Sequence, residues 1–137
     1  MKIIPILLSA SILLSANLTR AQDTSPVDPG KFDTSVKVTC VGDSITQGVG
    51  AKRGKSWPSQ LQEMLGDKWS VKNFGRSGTT LMNSGNSPYQ KCPQFKGAKE
   101  NPANVVIIML GTNDTKPNNW AHFKKDYEKD YRNLISH

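Results

Sequence analysis

The chain has 137 residues, 18 of them Lys or Arg and 11 Asp or Glu, for a formal charge of +7. That length suits one domain and excludes two of ordinary size. The lysines after residue 21 are scattered from Lys31 to Lys129 instead of lying together with aromatics between them, so no nucleic-acid partner is expected.

Residues 1–21 carry a secretory pattern: Lys2, an apolar run from Ile3 to Leu18, then Thr19-Arg20-Ala21. Pro5 and three serines interrupt the run, which is too short for a comfortable membrane span. The expectation is a cleaved signal peptide, a mature chain from Gln22, and export to the periplasm or medium without a stable membrane anchor. Setting those residues aside lowers Leu, Ile, Val and Phe from 30 in 137 to 21 in 116, thin material for a complete core. It also leaves 16 basic against 11 acidic residues, a charge of +5 that permits only weak attraction to polyanions. An oxidising compartment would allow Cys40 and Cys92 to pair, but Cys40 falls in a predicted buried strand, which favours free thiols. Neither cysteine has the companions of a metal site.

Gln22 to Asp33, with Pro26, Pro29 and Gly30, reads as part of a flexible lead-in over residues 22–35. The β-branched run Val36 to Val41 predicts a first strand ending at Gly42. Ser56 is placed to cap a helix whose Trp57, Leu61, Met64 and Leu65 share a face and whose end is marked by Gly66. Trp69 to Phe74 is a second strand. Residues 76–104, rich in Gly, Ser, Asn and Pro, form a stretch too long to be idle, and part of it is expected to cover or shape a site. Val105 to Leu110 is uninterruptedly apolar, as a strand covered on both faces would be. Trp120, Phe123, Tyr127, Tyr131 and Leu134 then recur at helical spacing, a stripe expected to pack in the core and not to stack on a ligand. Strand, helix, strand, loop, strand, helix argues for a parallel α/β sheet with right-handed crossovers.

In such sheets ligands bind beyond the carboxyl ends of the strands. The segments there are Gly42-Asp43-Ser44-Ile45-Thr46-Gln47-Gly48, Gly75-Arg76-Ser77-Gly78 and Gly111-Thr112-Asn113-Asp114. Singly they are weak: glycines that permit turns, an aspartate that caps a helix, a surface serine. Together they suit acyl transfer, which needs a hydroxyl nucleophile and donors aimed at a developing oxyanion. Ser44 supplies the nucleophile, the N–H groups of Ser44 and Gly75 and the amide of Asn113 supply donors, and Asp43 and Asp114 are supporting residues. Metal and cofactor are not called for.

The three blocks resemble those of the SGNH, or GDSL, hydrolase family of esterases and lipases. Val41 to Gly48 is similar to its first block, with Ser44 at the nucleophile; Asn73 to Gly78 to its second, with Gly75 at the oxyanion-hole glycine; and Leu110 to Asp114 to its third, with Asn113 at the oxyanion-hole asparagine. The resemblance covers Val36 to His137. It implies a flavodoxin-like three-layer α/β/α fold, hydrolysis of small or fatty acyl esters, and no cofactor.

One block is missing. The family's D-x-x-H, which carries the base and its orienting acid after two further strands, has no counterpart: Asn119 and Leu134 stand three before His122 and His137. Neither histidine is assigned as base, and the catalytic base and acid are absent from this chain. Residues 36–137 are therefore expected to be the N-terminal part of a longer hydrolase, of little activity as written, with C-terminal strands missing. The strand at 105–110 then becomes an exposed apolar edge prone to self-association. Within the resemblance, Thr115 to Trp120 and the export pattern favour secreted carbohydrate acetylesterases, such as the sialate type, and an acylated carbohydrate substrate. A lysophospholipase or thioesterase is the alternative, with Leu81, Met82, Tyr89 and Phe95 as lining for an acyl channel. From another class, a non-catalytic flavodoxin-like module could cradle a phosphate on Ser44 and Thr46.

Overall fold

The computed structural model describes residues 25–137. The secretory pattern and the start of the lead-in lie outside the described residues. In the rest of the lead-in, Asp28 accepts a hydrogen bond from Gly30 N (2.9 Å) and caps a short turn, and Lys68 Nζ donates to Phe32 O (2.8 Å).

Three strands, β1 (Val36–Gly42), β2 (Trp69–Gly75) and β3 (Val105–Met109), form a parallel sheet of order β2-β1-β3. Val36 pairs with Trp69 and Gly42 with Gly75 on one side; Val38 pairs with Val105 and Gly42 with Met109 on the other. The first crossover carries α1 (Ser44–Gln47) and α2 (Trp57–Leu65), and the second carries α3 (Pro93–Glu100). The chain steps from β1 to one flank and then back across it to the other. With both crossovers right-handed, as a rule, that reversal puts α2 and α3 on opposite faces and opens a crevice at the carboxyl end of β1. This is the expected parallel α/β architecture.

Several local expectations need correction. Residues 76–104 are not one long loop: Pro93 opens α3, and Phe95 on it packs with Tyr89, Val41 and Leu134 in the core. The Tyr89 and Phe95 rings meet edge to face at 5.9 Å. Met64, expected on the buried face of α2, is 83% exposed. Gln62 takes the inward position, donating to Gly66 O (3.1 Å) and Trp69 O (3.0 Å) and accepting from Val71 N (2.7 Å), so that the helix is tied to β2 by a polar side chain.

The aromatic stripe is corrected most. Its helix is broken into α4 (Pro117–Phe123) and α5 (Tyr127–Ile135) by a tight turn at Lys124–Asp126. Trp120 and Tyr131 are 42% and 40% exposed, while Asn119, Asp130 and Leu134 face inward. The cause lies in the loop opposite, whose polar groups need partners. Asn119 exchanges hydrogen bonds with Asn86 (3.0 and 2.9 Å), and Asp130 accepts from Asn83 N (2.7 Å). Leaving those buried polar groups without partners would cost about 1–3 kcal/mol each, whereas Trp120 and Tyr131 still keep more than half of their surface covered.

β3 begins at Val105 as expected but ends at Met109, and none of its residues is fully buried. It lies at the edge of the described sheet, with Val106 55% and Met109 45% exposed, so coverage on both faces gives way to the exposed apolar edge expected above. Cys40, buried in β1, and Cys92, at the start of α3, are free thiols.

Candidate active site

The crevice at the end of β1 is occupied by Asp43 and Ser44. Asp43 Oδ1 accepts from Ile45 N (2.9 Å) and caps α1, a single turn closed by Gly48 in the left-handed region at φ 101°. Asp43 is buried, and its Oδ2 has no hydrogen-bond partner. Ser44 is half-buried at the first position of the turn, where the backbone N–H of a helix is left without an intrahelical acceptor. Its hydroxyl makes no hydrogen bond to another described side chain.

The end of β2 and the residues after it are latched onto β1 and this turn by three contacts, and α2 adds a fourth. Arg76 N donates to Gly42 O (2.8 Å), Asn73 Nδ2 to Thr46 O (2.7 Å), Ser77 N to Gln47 Oε1 (2.6 Å), and Trp57 Nε1 to Thr46 Oγ1 (3.2 Å). Gly75 sits at the tightest point. A Cβ there would lie 2.2 Å from Gln47 N and 2.6 Å from Thr46 C, so glycine is demanded by the approach of α1 to the end of β2. The Gly75 N–H, expected to serve an oxyanion, already donates to Asn73 Oδ1 at 2.8 Å. Three residues on, Gly78 adopts φ +80° with open space around its Cα, and its N–H has no acceptor among the described residues.

The segment after β3 completes the site. Asn113 is buried, and its Nδ2 donates to Thr79 O (3.0 Å), which brings it against the Gly78–Thr79 turn and leaves one amide hydrogen over. Asn119 Nδ2 donates to Asn113 O (2.9 Å) and fixes the asparagine's backbone. Asp114, fully buried, accepts from Leu81 N (2.8 Å) and Met82 N (2.7 Å) and acts as an anchor for the second loop. Asn119 was missed by sequence reasoning; an asparagine six residues past Asn113 carries no signal until the loop it bonds is seen beside it.

The histidines stand elsewhere. His122 is exposed on α4 beside Phe123, and His137 stacks edge-on against Phe95 with centroids 5.4 Å apart; neither hydrogen-bonds to Ser44. Among the described residues no group of three or more His, Cys, Asp and Glu could hold a metal ion, and no helix is long and apolar enough to cross a membrane.

Comparison with known proteins places the chain in a family. Residues 40–137 match the profile of the GDSL-like lipase/acylhydrolase family. An acetylxylan esterase of Xylanibacter ruminicola is 44% identical over 108 residues, covering 74% of this chain and 22% of that protein. Among solved structures, AlinE4, an SGNH-hydrolase family esterase, aligns with a TM-score of 0.61 at 21% identity over 77% of this chain and 53% of its own. A carbohydrate acetylesterase family member from Sinorhizobium meliloti aligns at 0.57 and 28% identity over 74% and 52%. The chain thus spans about half the length of these structures and about a fifth of the curated relative. With the profile running across most of its length and all three sequence blocks inside it, the chain belongs to the GDSL-like lipase/acylhydrolase family, with an SGNH-hydrolase fold.

Proposed function

We propose that the chain is the nucleophile-bearing part of a serine ester hydrolase that removes acetyl groups from carbohydrates. Ser44 attacks the acyl carbon. The oxyanion is met by the Ser44 N–H at the mouth of α1 and by the second amide hydrogen of Asn113. Gly78 N–H serves as third donor in place of Gly75, whose N–H is already bound. The observation that carries this reading is the Asn113–Thr79 hydrogen bond, which holds a side-chain amide and an open glycine N–H together on the edge where β1 delivers Ser44.

An acetyl group is favoured over a long acyl chain because Leu81, Met82, Tyr89 and Phe95, the residues available to line an apolar channel, are all buried: 1%, 0%, 0% and 8% exposed. The carbohydrate rests on the acetylxylan esterase relative. The phosphate-cradling alternative loses ground to Asp43, whose unpartnered carboxylate oxygen beside Ser44 would repel an anion. The secretory pattern of residues 1–21 fits a polysaccharide substrate met outside the cell. With no described side chain placed to take its proton, Ser44 remains a weak nucleophile; in a comparable triad, losing the histidine costs on the order of 10⁶-fold in turnover.

Hydrolysis of p-nitrophenyl acetate tests this. The 137-residue chain is expected to turn over no faster than its Ser44→Ala variant. A form extended to include a D-x-x-H block is expected to hydrolyse acetyl esters in preference to octanoyl esters, and to lose that rate in Ser44→Ala. A robust Ser44-dependent rate in the short chain would overturn the account of the missing base, and a preference for octanoyl esters would overturn the acetyl assignment.

A further inference from the structure

The exposed half of the aromatic stripe borders the candidate site. Leu110, Gly111, Thr112, Thr115, Trp120 and Tyr127 line an open groove of about 640 Å³ at the carboxyl end of β3, the edge that also bears Asn113. That volume is in the range of small-molecule sites. Trp120 forms one wall. Its ring meets Tyr127 edge to face at 5.9 Å and 69°, so the neighbouring ring holds the indole while 42% of the residue stays open to solvent. The other two tryptophans are half-buried, and Trp57 is tied by its indole N–H to Thr46.

The groove is not simply greasy. The Tyr127 hydroxyl lies so close to the chain that a Cβ on Gly111 would sit 2.8 Å from it, and it makes no hydrogen bond among the described residues. Burial, then the nearby charges of Asp114 and Tyr131, push the phenol above its ordinary value, so it stays a neutral O–H, able to donate and accept. Thr112 and Thr115 are exposed at the rim, and Thr115 Oγ1 donates to Thr112 O (2.8 Å), which fixes its hydroxyl oxygen as an acceptor towards the groove. A rigid aromatic face beside unspent hydroxyls is complementary to a pyranose ring, which has an apolar C–H face and a belt of hydroxyls. An acyl chain would leave the phenol unpaired, and a phosphate would find no cation among the lining residues.

We propose that Trp120 and Tyr127 form a sugar-binding subsite, Trp120 stacking on a pyranose ring and the Tyr127 hydroxyl bonding one of its hydroxyls, so that a polysaccharide chain is held beside Ser44 and Asn113. This rests on the carbohydrate-esterase reading and adds to it the residues that select the substrate. Trp120 lies on α4, seven residues past Asn113, and shares its groove with Gly111 and Thr112, the two residues that precede that asparagine.

Binding can be read without turnover, on the 137-residue chain itself, by electrophoretic retardation in native gels containing soluble acetylated xylan and by quenching of tryptophan emission with xylo-oligosaccharides. The chain is expected to be retarded and its emission quenched. Trp120→Ala is expected to weaken retardation about tenfold or more, and Tyr127→Phe about two- to fivefold, with unfolding curves close to that of the parent. If the parent binds xylan and Trp120→Ala binds it equally tightly, the subsite is overturned while the carbohydrate reading stands. If the parent binds neither xylan nor soluble mannan or chitin oligomers, the carbohydrate reading falls and the subsite with it. Should Trp120→Ala fail to fold, Trp120→Leu, which keeps the bulk and removes the aromatic face, must show the same loss.

Discussion

β1 and β3 pair with each other along five residues and are both apolar, yet six of the seven residues of β1 are buried and none of the five in β3 is. β1 is the less hydrophobic of the two, holding Lys37 and Thr39 against the unbroken Val-Val-Ile-Ile-Met of β3. Burial in a sheet is set by having a strand on each flank and a helix on each face, not by the strand's own composition. The central position also does chemical work, because a strand from which the chain departs to both sides ends in a crevice, and that is where Asp43 and Ser44 emerge.

Among substitutions that leave the protein folded, the largest effect should come from closing that crevice. A Cβ on Gly42 would lie 1.9 Å from Thr46 Oγ1 and 2.7 Å from Met109 O, wedging α1 away from β1 and β3 together. Gly42→Ala is expected to cost about 3 kcal/mol, the upper end of the overpacking range, seen as a lower urea midpoint at unchanged slope. Next comes the anchor of the second loop. Asp114→Ala leaves the Leu81 and Met82 N–H groups buried without acceptors, and about 2–3 kcal/mol is expected to be lost. Amide exchange should accelerate at Leu81 and Met82 before it does at Val38, since the loop is released while β1 stays paired. Equal acceleration at all three would mean that Asp114 supports the sheet and not the loop.

Much of this was legible in the chain. The strands were readable because β-branched runs ended at Gly42 and Gly75, and the site because the polar residues that follow parallel strands must share an edge. What was not legible depended on partners distant in sequence. Phe95 looked like a loop residue because Pro93 and Gly97 obscure the helical period, yet Pro93 is at the first turn, where it starts a helix. Trp120 looked like core because its spacing matched Leu134. The spacing cannot show that the loop at 83–86 would claim the inner face for Asn119 and Asp130. Gly75 and Gly78 are indistinguishable as letters; the hydrogen bond from Gly75 N to Asn73, and the open space and positive φ at Gly78, separate them.

A smaller effect separates the strands by pH. Burial within β1 pushes the Cys40 thiol from about 9.0 up to about 11. The unfolded chain therefore loses this proton first as pH rises, and the native state keeps it. The stability that depends on it is complete below pH 9 and disappears as pH climbs from 9 towards 11. The difference between the parent and Cys40→Ala in thermal unfolding should shrink in the destabilising direction over that window, the parent falling more steeply. Parallel curves would mean that water reaches the thiol and β1 is less enclosed than its burial indicates.

The smallest change in stability is expected at the edge, and it sharpens the comparison most. Thr39 and Val106 are register partners on β1 and β3, one 2% and the other 55% exposed. Lysine at position 106 can keep its charge in water, so Val106→Lys should alter stability by no more than about 0.5 kcal/mol, whereas Thr39→Lys would bury an ammonium beside Asn101 and unfold the sheet. The same lysine makes the β3 edge repel a second copy, so any concentration-dependent association of the parent through this edge should diminish in Val106→Lys when both are followed by sedimentation. If association persists unchanged, the attraction lies on another surface. If instead Val106→Lys unfolds the protein as Thr39→Lys should, the valine is covered in solution and β3 is not the edge its sequence partner on β1 makes it out to be.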